Sequence, residues 1–458
     1  MQDTSGAGRA VVAGLDAERA AKLDVGLKAE LDAGLRRLRA HQQGLRRRAT
    51  PDDAPEFDRD RTLARLTTIW LDGRPRRGLL ILMNTNGCRW YLRAGGCFMC
   101  SYSLGARPGL LTADNIKNQF ENALAECPGG PPEVVFVYPF SCFDPQEVAP
   151  AVIDHICRRL GELDAVRYAF FESRPEFVTA DVAGMLRRHL GEKVVHVCMG
   201  LESADEFVTR YAVHKGYGFK QYARAAAPLR AAGINAGAFL VLKPPFLTEG
   251  QALDDATRSV RAVLETPGAQ AFLMCNNVAA ASITGELHRL GMYRPPWLWS
   301  AVEVARRTPP ALRERLHLAG FQGAHQRLQH AVSLGRSAQE PEVVDFVFGA
   351  TFSYFLDSAA NCGKCDAAVA AAIDRYNSLR DFAALEALGC DCRQEWAAEA
   401  ARTAGQGLAE TVLAGYRALL AGLDEENEAA RGAAGPGAGA GAGANEGAGR
   451  GAGEGGRP

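Results

Sequence analysis

The chain has 458 residues, of which 47% are hydrophobic and 23% charged, a composition typical of a soluble globular protein with two or three domains. Its formal net charge of -1 excludes a global basic field for nucleic acid, so any RNA contact must come from local patches. The sequence has no apolar run long enough to span a membrane and no apolar signal core at its N-terminus, which predicts a cytoplasmic protein without membrane contact.

Residues 1–72 are predicted to form a helical, basic N-terminal extension. Apolar residues recur at helical spacing in AERAAKLDVGLKAELDAGLRRLRAHQQ, and a polar segment with Pro and Asp follows. Arg46, Arg47 and Arg48 end the helical stretch. Such a cluster is usually a solvated face, and the alternative is contact with a phosphate backbone.

Between residues 73 and 300, short apolar runs alternate with amphipathic segments. The runs are LLILMN (79–84), EVVFVYP (133–139), AVRYAFF (165–171), KVVHVCMG (193–200), AGAFLVL (236–242) and AQAFLMC (269–275). Six βα units in sequence predict an α/β fold with a parallel sheet, in the form of a partial (β/α)6 barrel. Ligands of such folds bind at the C-terminal ends of the strands, so we expect the site in the loops there.

Residues 301–432 are predicted to form a mainly helical C-terminal domain, and the Gly- and Ala-rich residues 433–458 a disordered tail. An arginine-rich segment begins this domain. Its six arginines are Arg306, Arg307, Arg313, Arg315, Arg327 and Arg336. Beside Trp297 and Trp299 they could track an RNA backbone and stack an extruded base, and the alternative is a solvated helix with two core tryptophans.

The first cysteine group follows directly on the first of the six predicted strands. In MNTNGCRWYLRAGGCFMCSYSLGA, eight residues separate Cys88 from Cys97, and two separate Cys97 from Cys100. Three thiolates leave one iron of a [4Fe-4S] cluster open, and S-adenosylmethionine (SAM) can chelate that iron through its amino and carboxylate groups. The alternatives are unrelated buried thiols or a zinc site that borrows Cys127 or Cys142. Zinc is disfavoured because its fourth ligand would have to come from a distant part of the barrel.

Several motifs follow one another in a characteristic order. They are NTNGCRWYLRAGGCFMCSY, ESRPEFVT (172–179), GLES (200–203), LKPPFLTE (242–249), YRPPWLWS (293–300), NCGKCD and CDC. In these motifs, over roughly residues 73–396, the sequence resembles the radical SAM subunit of archaeosine synthase, which is related to the catalytic subunit of elongator. The resemblance implies a radical SAM barrel, a [4Fe-4S] cluster on Cys88, Cys97 and Cys100, and an enzyme that generates a 5'-deoxyadenosyl radical.

The resemblance also implies SAM-binding residues at the strand ends. They are Ser141, Glu172, Arg174, Glu202 and Lys243. Ser141 stands where other radical SAM proteins carry a Gly-Gly-Glu turn, and carboxylates near the sulfonium can accept ribose hydroxyls or the ammonium group. The alternatives are helix-capping carboxylates and a solvated lysine. His214 is either a proton carrier or a structural histidine at a helix end.

A second cysteine group lies in the C-terminal domain. Cys362 and Cys365 form a C-x-x-C pair, and Cys390 and Cys392 form a C-x-C pair further along the chain. Two close pairs on a helical domain predict a closed, structural Zn(II) site with four thiolate ligands. An auxiliary iron-sulfur cluster and a thiol redox pair are the alternatives.

The substrate and partners follow from the resemblance alone. It implies a lyase-type tRNA modification enzyme that cleaves a carbon-nitrogen bond in a D-loop 7-deazaguanine already joined to lysine, leaving archaeosine. A separate lysine-transferase subunit and an electron donor such as flavodoxin or ferredoxin are the implied partners. The alternatives are a radical SAM enzyme for a free 7-deazapurine or another small-molecule intermediate, a radical SAM methyltransferase, and a non-catalytic zinc-dependent RNA-binding protein.

Overall fold

A computed structural model of the protein describes residues 24–49, 58–100, 106–319, 355–404 and 407–433. The predicted disordered tail lies almost entirely outside these residues, as do Arg327 and Arg336. None of the helices in the described ranges is long and apolar enough to cross a membrane.

Eight strands form one curled sheet whose spatial order follows the chain. The sheet strands are β1 (Leu63–Leu71), β2 (Arg74–Leu82), β3 (Val134–Tyr138), β4 (Tyr168–Ser173), β5 (Val194–Glu202), β6 (Asn235–Leu242), β7 (Gln270–Cys275) and β9 (Leu316–Ala319). β1 pairs antiparallel with β2, and the other neighbours in this sheet pair parallel. β1 and β9 stand at opposite ends of the strand order, so the barrel stays partial and the predicted α/β class is confirmed.

Helices connect the parallel strands, and further helices lie at both ends of the described chain. They are α1 (Val25–Ala49), α2 (Arg89–Ala94), α3 (Ala113–Ala125), α4 (Pro150–Glu162), α5 (Ala180–Leu190), α6 (Phe219–Ala231), α7 (Glu249–Glu265), α8 (Ile283–Arg289), α9 (Leu298–Arg307), α10 (Asp366–Leu379), α11 (Ala383–Glu386), α12 (Cys392–Ala404) and α13 (Leu408–Ala433). The short strands β8 (Val278–Ala279) and β10 (Phe355–Asp357) pair with each other beside the sheet.

The two faces of the sheet are packed differently. Residues such as Val135, Phe171 and Val197 belong to the main core that the strands share with the connecting helices. Side chains alternate along a strand, so Phe136 and Phe170 point to the opposite, concave face, where their rings stack 4.6 Å apart. Glu172 follows Phe170 on the same face, at the C-terminal end of β4. The lower part of the barrel is therefore filled, and its upper part carries polar groups.

The predicted N-terminal extension is part of the folded body. α1 packs against α13 through a second apolar core that includes Leu31, Leu38 and Tyr416. A Cβ at Gly34 would lie only 2.5 Å from the Tyr416 ring, so glycine permits the close approach of the two helices. The sheet also begins earlier than predicted, because β1 lies before residue 73.

Candidate functional site

A cavity of about 200 Å³ opens at the C-terminal ends of the parallel strands. Six of the residues that the sequence predicts to bind the cluster or SAM line it: Cys88, Cys97, Cys100, Glu172, Arg174 and Glu202. Their motifs are far apart in the sequence, and the parallel sheet brings them together because all its strands end at this edge.

The cysteine loop turns back on itself so that its thiols face the same cavity. Cys88 precedes α2, and Gly95 and Gly96 follow this helix with φ of 82° and 77°, values that glycine adopts without strain. The N–H of Phe98 donates to the carbonyl of Val213 over 2.9 Å, and the carbonyl of Phe98 accepts the N–H of Thr284 over 3.1 Å. The loop is thereby held from two sides. Burial raises the pKa of Cys97 to about 12, so metal binding must displace a proton from this thiol.

Glu172 and Glu202 are the carboxyl groups of the cavity. Glu202 pairs with Lys215, and both side chains are largely buried. Glu172 has no hydrogen bond or ion pair to another side chain within the described ranges, and burial, reinforced by the nearby Glu202 carboxylate, raises its pKa well above the usual value. A buried polar group without a partner is costly, so the cavity presents a carboxyl group that a ligand can satisfy.

Lys215 is a site residue that the sequence reasoning missed. It belongs to the segment VHKG that drew attention to His214, and its side chain is 8% exposed. Burial by itself lowers the pKa of Lys215, but Glu202, Tyr217 and Cys97 together raise it well above its usual value. Lys215 is thus the cation that balances Glu202 inside the cavity.

Replacing Lys215 by methionine is expected to lower the free energy of unfolding of the metal-free protein by about 3 kcal/mol, because it leaves a buried carboxylate uncompensated. The double variant with Glu202→Gln should recover most of this loss. Lys220→Met is the matched control: its ion pair with Glu206 is exposed, so the change should cost about 1 kcal/mol or less. If anaerobic urea unfolding shows the same loss in the free energy of unfolding for Lys215→Met and Lys220→Met, the buried ion pair is contradicted.

Arg174 borders the cysteine loop as the sequence predicted. Its Nη1 lies 3.9 Å from Cys88 Sγ, and its Nε donates to the Glu176 carboxylate over 2.8 Å. Its guanidinium lies 4.8 Å from the centre of the Tyr217 ring, which fixes its position in the cavity wall.

The structure does not bring Ser141 or Lys243 to the cavity. Ser141 is fully buried, and its Oγ accepts the backbone N–H of Arg174 over 3.1 Å, so it supports the strand end beside the cavity. Lys243 has a φ of 62°, and its Nζ lies 2.8 Å from the buried carboxylate of Glu249. Because Glu249 also accepts the Ser300 hydroxyl, Lys243 belongs to a network between the barrel and α9.

His214 holds the cysteine loop. Its Nδ1 donates to the carbonyl of Gly96 over 2.9 Å, and its ring stacks on Phe98 at 5.0 Å. Burial lowers its pKa to about 4, so the ring is neutral at physiological pH. These contacts support the structural interpretation of this histidine rather than that of a proton carrier.

The proposed donors of a fourth zinc ligand, Cys127 and Cys142, lie in the main core and do not line the cavity. The Cys142 thiol instead donates to the carbonyl of Val137 over 3.3 Å. A further cysteine, Cys275, reaches the cavity from the end of β7.

The second cysteine group brings its four sulfur atoms close together. Cys362 Sγ lies 3.8 Å from Cys365 Sγ and 3.7 Å from Cys390 Sγ. Cys365 Sγ lies 3.7 Å from Cys392 Sγ. All four sulfur atoms lie within 4.8 Å of one another. Four thiolates at about 2.3 Å from one tetrahedral Zn(II) are separated by about 3.8 Å, whereas the ligands of a cubane bind different irons and stand further apart.

Three arginines of the arginine-rich segment have partners within the fold. Arg313 donates to the carbonyl of Thr308, Arg315 donates to that of Ala269, and Arg307 pairs with Glu303. Trp297 and Trp299 are 8% and 1% exposed, which favours the alternative of two core tryptophans over the stacking of an extruded base. Trp299 instead donates its indole N–H to Cys392 Sγ over 3.2 Å and packs on the second cysteine group.

Comparisons with known proteins point to one family, although no protein-family model matches the chain. The archaeosine synthase subunit beta of Methanosarcina acetivorans is 27% identical over 330 residues, which are 72% of this chain and 86% of the relative. The subunit of the same name from Thermococcus kodakarensis is 29% identical over 71% of this chain and 92% of its own length.

The chain is a homologue of the archaeosine synthase beta subunits. This confirms the resemblance that the sequence motifs indicated. Among solved structures, a radical S-adenosylmethionine methyltransferase from Kitasatospora setae, solved with tryptophan and a SAM analogue, aligns with a TM-score of 0.38 and 12% identity. The aligned part covers 52% of this chain and about half, 54%, of that structure.

The wall of the cavity also includes Arg46, a residue predicted from the sequence to share a solvated basic face with Arg47 and Arg48. Arg47 and Arg48 are exposed, but Arg46 is 2% exposed. Helical spacing explains the difference, since Arg46 lies four residues after the buried Gln42 and so on the same side of α1.

Proposed function

We propose that this protein is a radical SAM enzyme that binds a [4Fe-4S] cluster through Cys88, Cys97 and Cys100. The observation that carries the proposal is the single cavity at the strand ends into which these three cysteines open together with Glu172, Arg174 and Glu202. The homology to archaeosine synthase beta subunits supports it independently.

The residues of the cavity fit the cluster and its ligand. Three thiols come from one loop, which is the donor set for a cubane with one open iron. The cavity also contains two polar groups with no hydrogen-bond partner within the described ranges, the carboxyl group of Glu172 and the buried Oδ1 of Asn277. At Gly200 a Cβ would lie 2.9 Å from both Glu202 Oε1 and Lys215 Nζ, so glycine keeps this part of the wall open.

The side chains of the cavity have distinct roles in this proposal. A cluster held by Cys88, Cys97 and Cys100 would supply the electron for the reductive cleavage of SAM to methionine and a 5'-deoxyadenosyl radical. Glu202 and Glu172 would accept hydrogen bonds from the ribose hydroxyls or the ammonium group of SAM, and Arg174 would donate to its carboxylate. Lys215 pairs with Glu202 in the cavity wall, and the apolar side chains of Phe239 and Val241 would limit the access of water to the radical.

For the substrate, we propose the nucleoside implied by the family: a tRNA D-loop 7-deazaguanine joined to lysine, whose carbon-nitrogen bond is cleaved to give archaeosine. The name of the homologues as subunit beta supports a partner subunit, for which a lysine transferase is the proposed identity. Flavodoxin or ferredoxin would deliver the electron.

The proposed reaction is tested with tRNA that carries the lysine adduct. Anaerobic incubation with the reconstituted protein, SAM and dithionite should convert the adduct to archaeosine, detected by mass spectrometry of the digested nucleosides. A Glu202→Gln variant, which keeps the three cysteines, should form the product at least about tenfold more slowly, since one charged contact to the cofactor is lost. Turnover of a free 7-deazapurine with no change in the tRNA would contradict the proposed substrate.

For the second cysteine group we propose one structural Zn(II). The support is the separation of about 3.8 Å between neighbouring sulfur atoms and the hydrogen bonds that Trp299 and Asn361 donate to Cys392 and Cys365.

A further inference from the structure

The C-terminal half of α1 contacts the backbone of the cysteine loop. Gln42 Nε2 donates to the carbonyl of Cys97 over 2.7 Å, while its Oε1 accepts the N–H of Ile283 over 3.0 Å. One turn further along α1, Arg46 Nη2 donates to the carbonyls of Cys97 over 3.1 Å and Cys100 over 2.8 Å, and its Nη1 donates to that of Gly95. The helix thus binds the part of the loop that carries two of the three cysteines.

The guanidinium of Arg46 is a buried positive charge beside the thiols. Arg46 is 2% exposed, lines the cavity, and lies 5.1 Å from the centre of the Tyr91 ring. Burial lowers its pKa, while electrostatic interactions with Cys97, Cys100 and Cys88 act to raise it. Arginine remains protonated in proteins, so the cavity wall keeps this charge.

We infer that Arg46 is a positioning residue for the iron-sulfur cluster: it fixes the carbonyls of the cysteine loop and supplies a positive charge beside the cluster. The inference rests on the proposed function, since it needs a cluster at this loop. A cubane with three thiolates is negatively charged, and reduction adds a further negative charge. A cation held in a low-dielectric wall therefore stabilises the reduced form more than the oxidised form.

Arg46→Gln tests this role in the full chain, reconstituted anaerobically. Groups that hydrogen-bond to the ligands of a metal commonly raise its affinity about 10- to 100-fold. Loss of the cluster to an iron chelator should therefore be about 10- to 100-fold faster in the variant than in the wild type. The reduction midpoint, followed by the electron paramagnetic resonance signal, should shift to a more negative potential. Arg47→Gln is the matched control, because Arg47 is the next residue of α1 and is exposed; it should behave as the wild type.

Arg46→Lys separates charge from geometry. Lysine keeps the positive charge but cannot bond three carbonyls with one planar group, so the midpoint should stay near that of the wild type while cluster loss becomes faster. Thermal unfolding of the metal-free variants is measured in parallel, because a merely structural role would lower their stability without moving the midpoint. If Arg46→Gln has the reduction midpoint of the wild type and loses its cluster to the chelator at the wild-type rate, the inference is overturned. Absence of a cluster in the wild type would overturn the proposed function, and the inference with it.

Discussion

Replacement of Cys97 by alanine is expected to abolish SAM cleavage and to remove the iron of the first cysteine group. Cys97 provides one of only three thiol ligands in the proposed cluster, and its carbonyl is the shared acceptor of Gln42 and Arg46. Two remaining thiolates cannot retain a cubane with an open iron. Iron and sulfide analysis, together with chromatography of 5'-deoxyadenosine formed under dithionite, measures both effects.

Cys142→Ala is the control for this experiment. The Cys142 thiol is fully buried but lies outside the cavity, so its loss should reduce stability slightly and leave iron binding and SAM cleavage intact. The assignment of the ligands would be contradicted if Cys97→Ala cleaved SAM at the wild-type rate. It would also be contradicted if Cys142→Ala lost the iron while Cys97→Ala kept it.

The second large effect is expected at the other cysteine group. Replacing both Cys365 and Cys392 by serine should remove one zinc per chain and unfold the helices α10 to α12. Both residues are buried, and structural zinc contributes about 10 to 16 kcal/mol in small zinc-binding peptides. Metal analysis gives the stoichiometry, and hydrogen exchange over residues 366–404 reports the loss of structure.

The complementary variant removes the other metal. Triple replacement of Cys88, Cys97 and Cys100 should abolish iron binding but leave about one zinc per chain, because the second site is closed and independent. Residual iron and sulfide in that variant would show that Cys362, Cys365, Cys390 and Cys392 hold an auxiliary cluster instead.

The strands were predictable where burial on both faces produced continuous apolar runs. All six predicted runs form strands, β2 to β7, because the concave face and the helix-covered face are both packed. β1 escaped prediction because it is an edge strand and half exposed, and its sequence LARLTTIWL therefore carries a weak pattern. β9 has only four residues, too few for a pattern to emerge.

From the sequence, the site could be predicted only for residues at the C-terminal ends of strands. Glu172, Arg174 and Glu202 lie at the C-terminal ends of β4 and β5 and reach the cavity, as expected for a parallel sheet of this kind. Lys243 directly follows a strand, but its side chain pairs with the buried carboxylate of Glu249 instead of reaching the cavity. Arg46 contacts residues some fifty positions away in the sequence, and no local pattern encodes such a contact.

The proposed radical SAM activity is tested by the cleavage of SAM by the wild-type protein. Anaerobically reconstituted protein, reduced with dithionite in the absence of substrate, should convert SAM to methionine and 5'-deoxyadenosine, both measured by chromatography with mass detection. Both products are expected in equal amounts and in proportion to the iron bound at Cys88, Cys97 and Cys100. Protein that carries a full, reduced cluster at these cysteines and forms neither product would contradict the proposed activity.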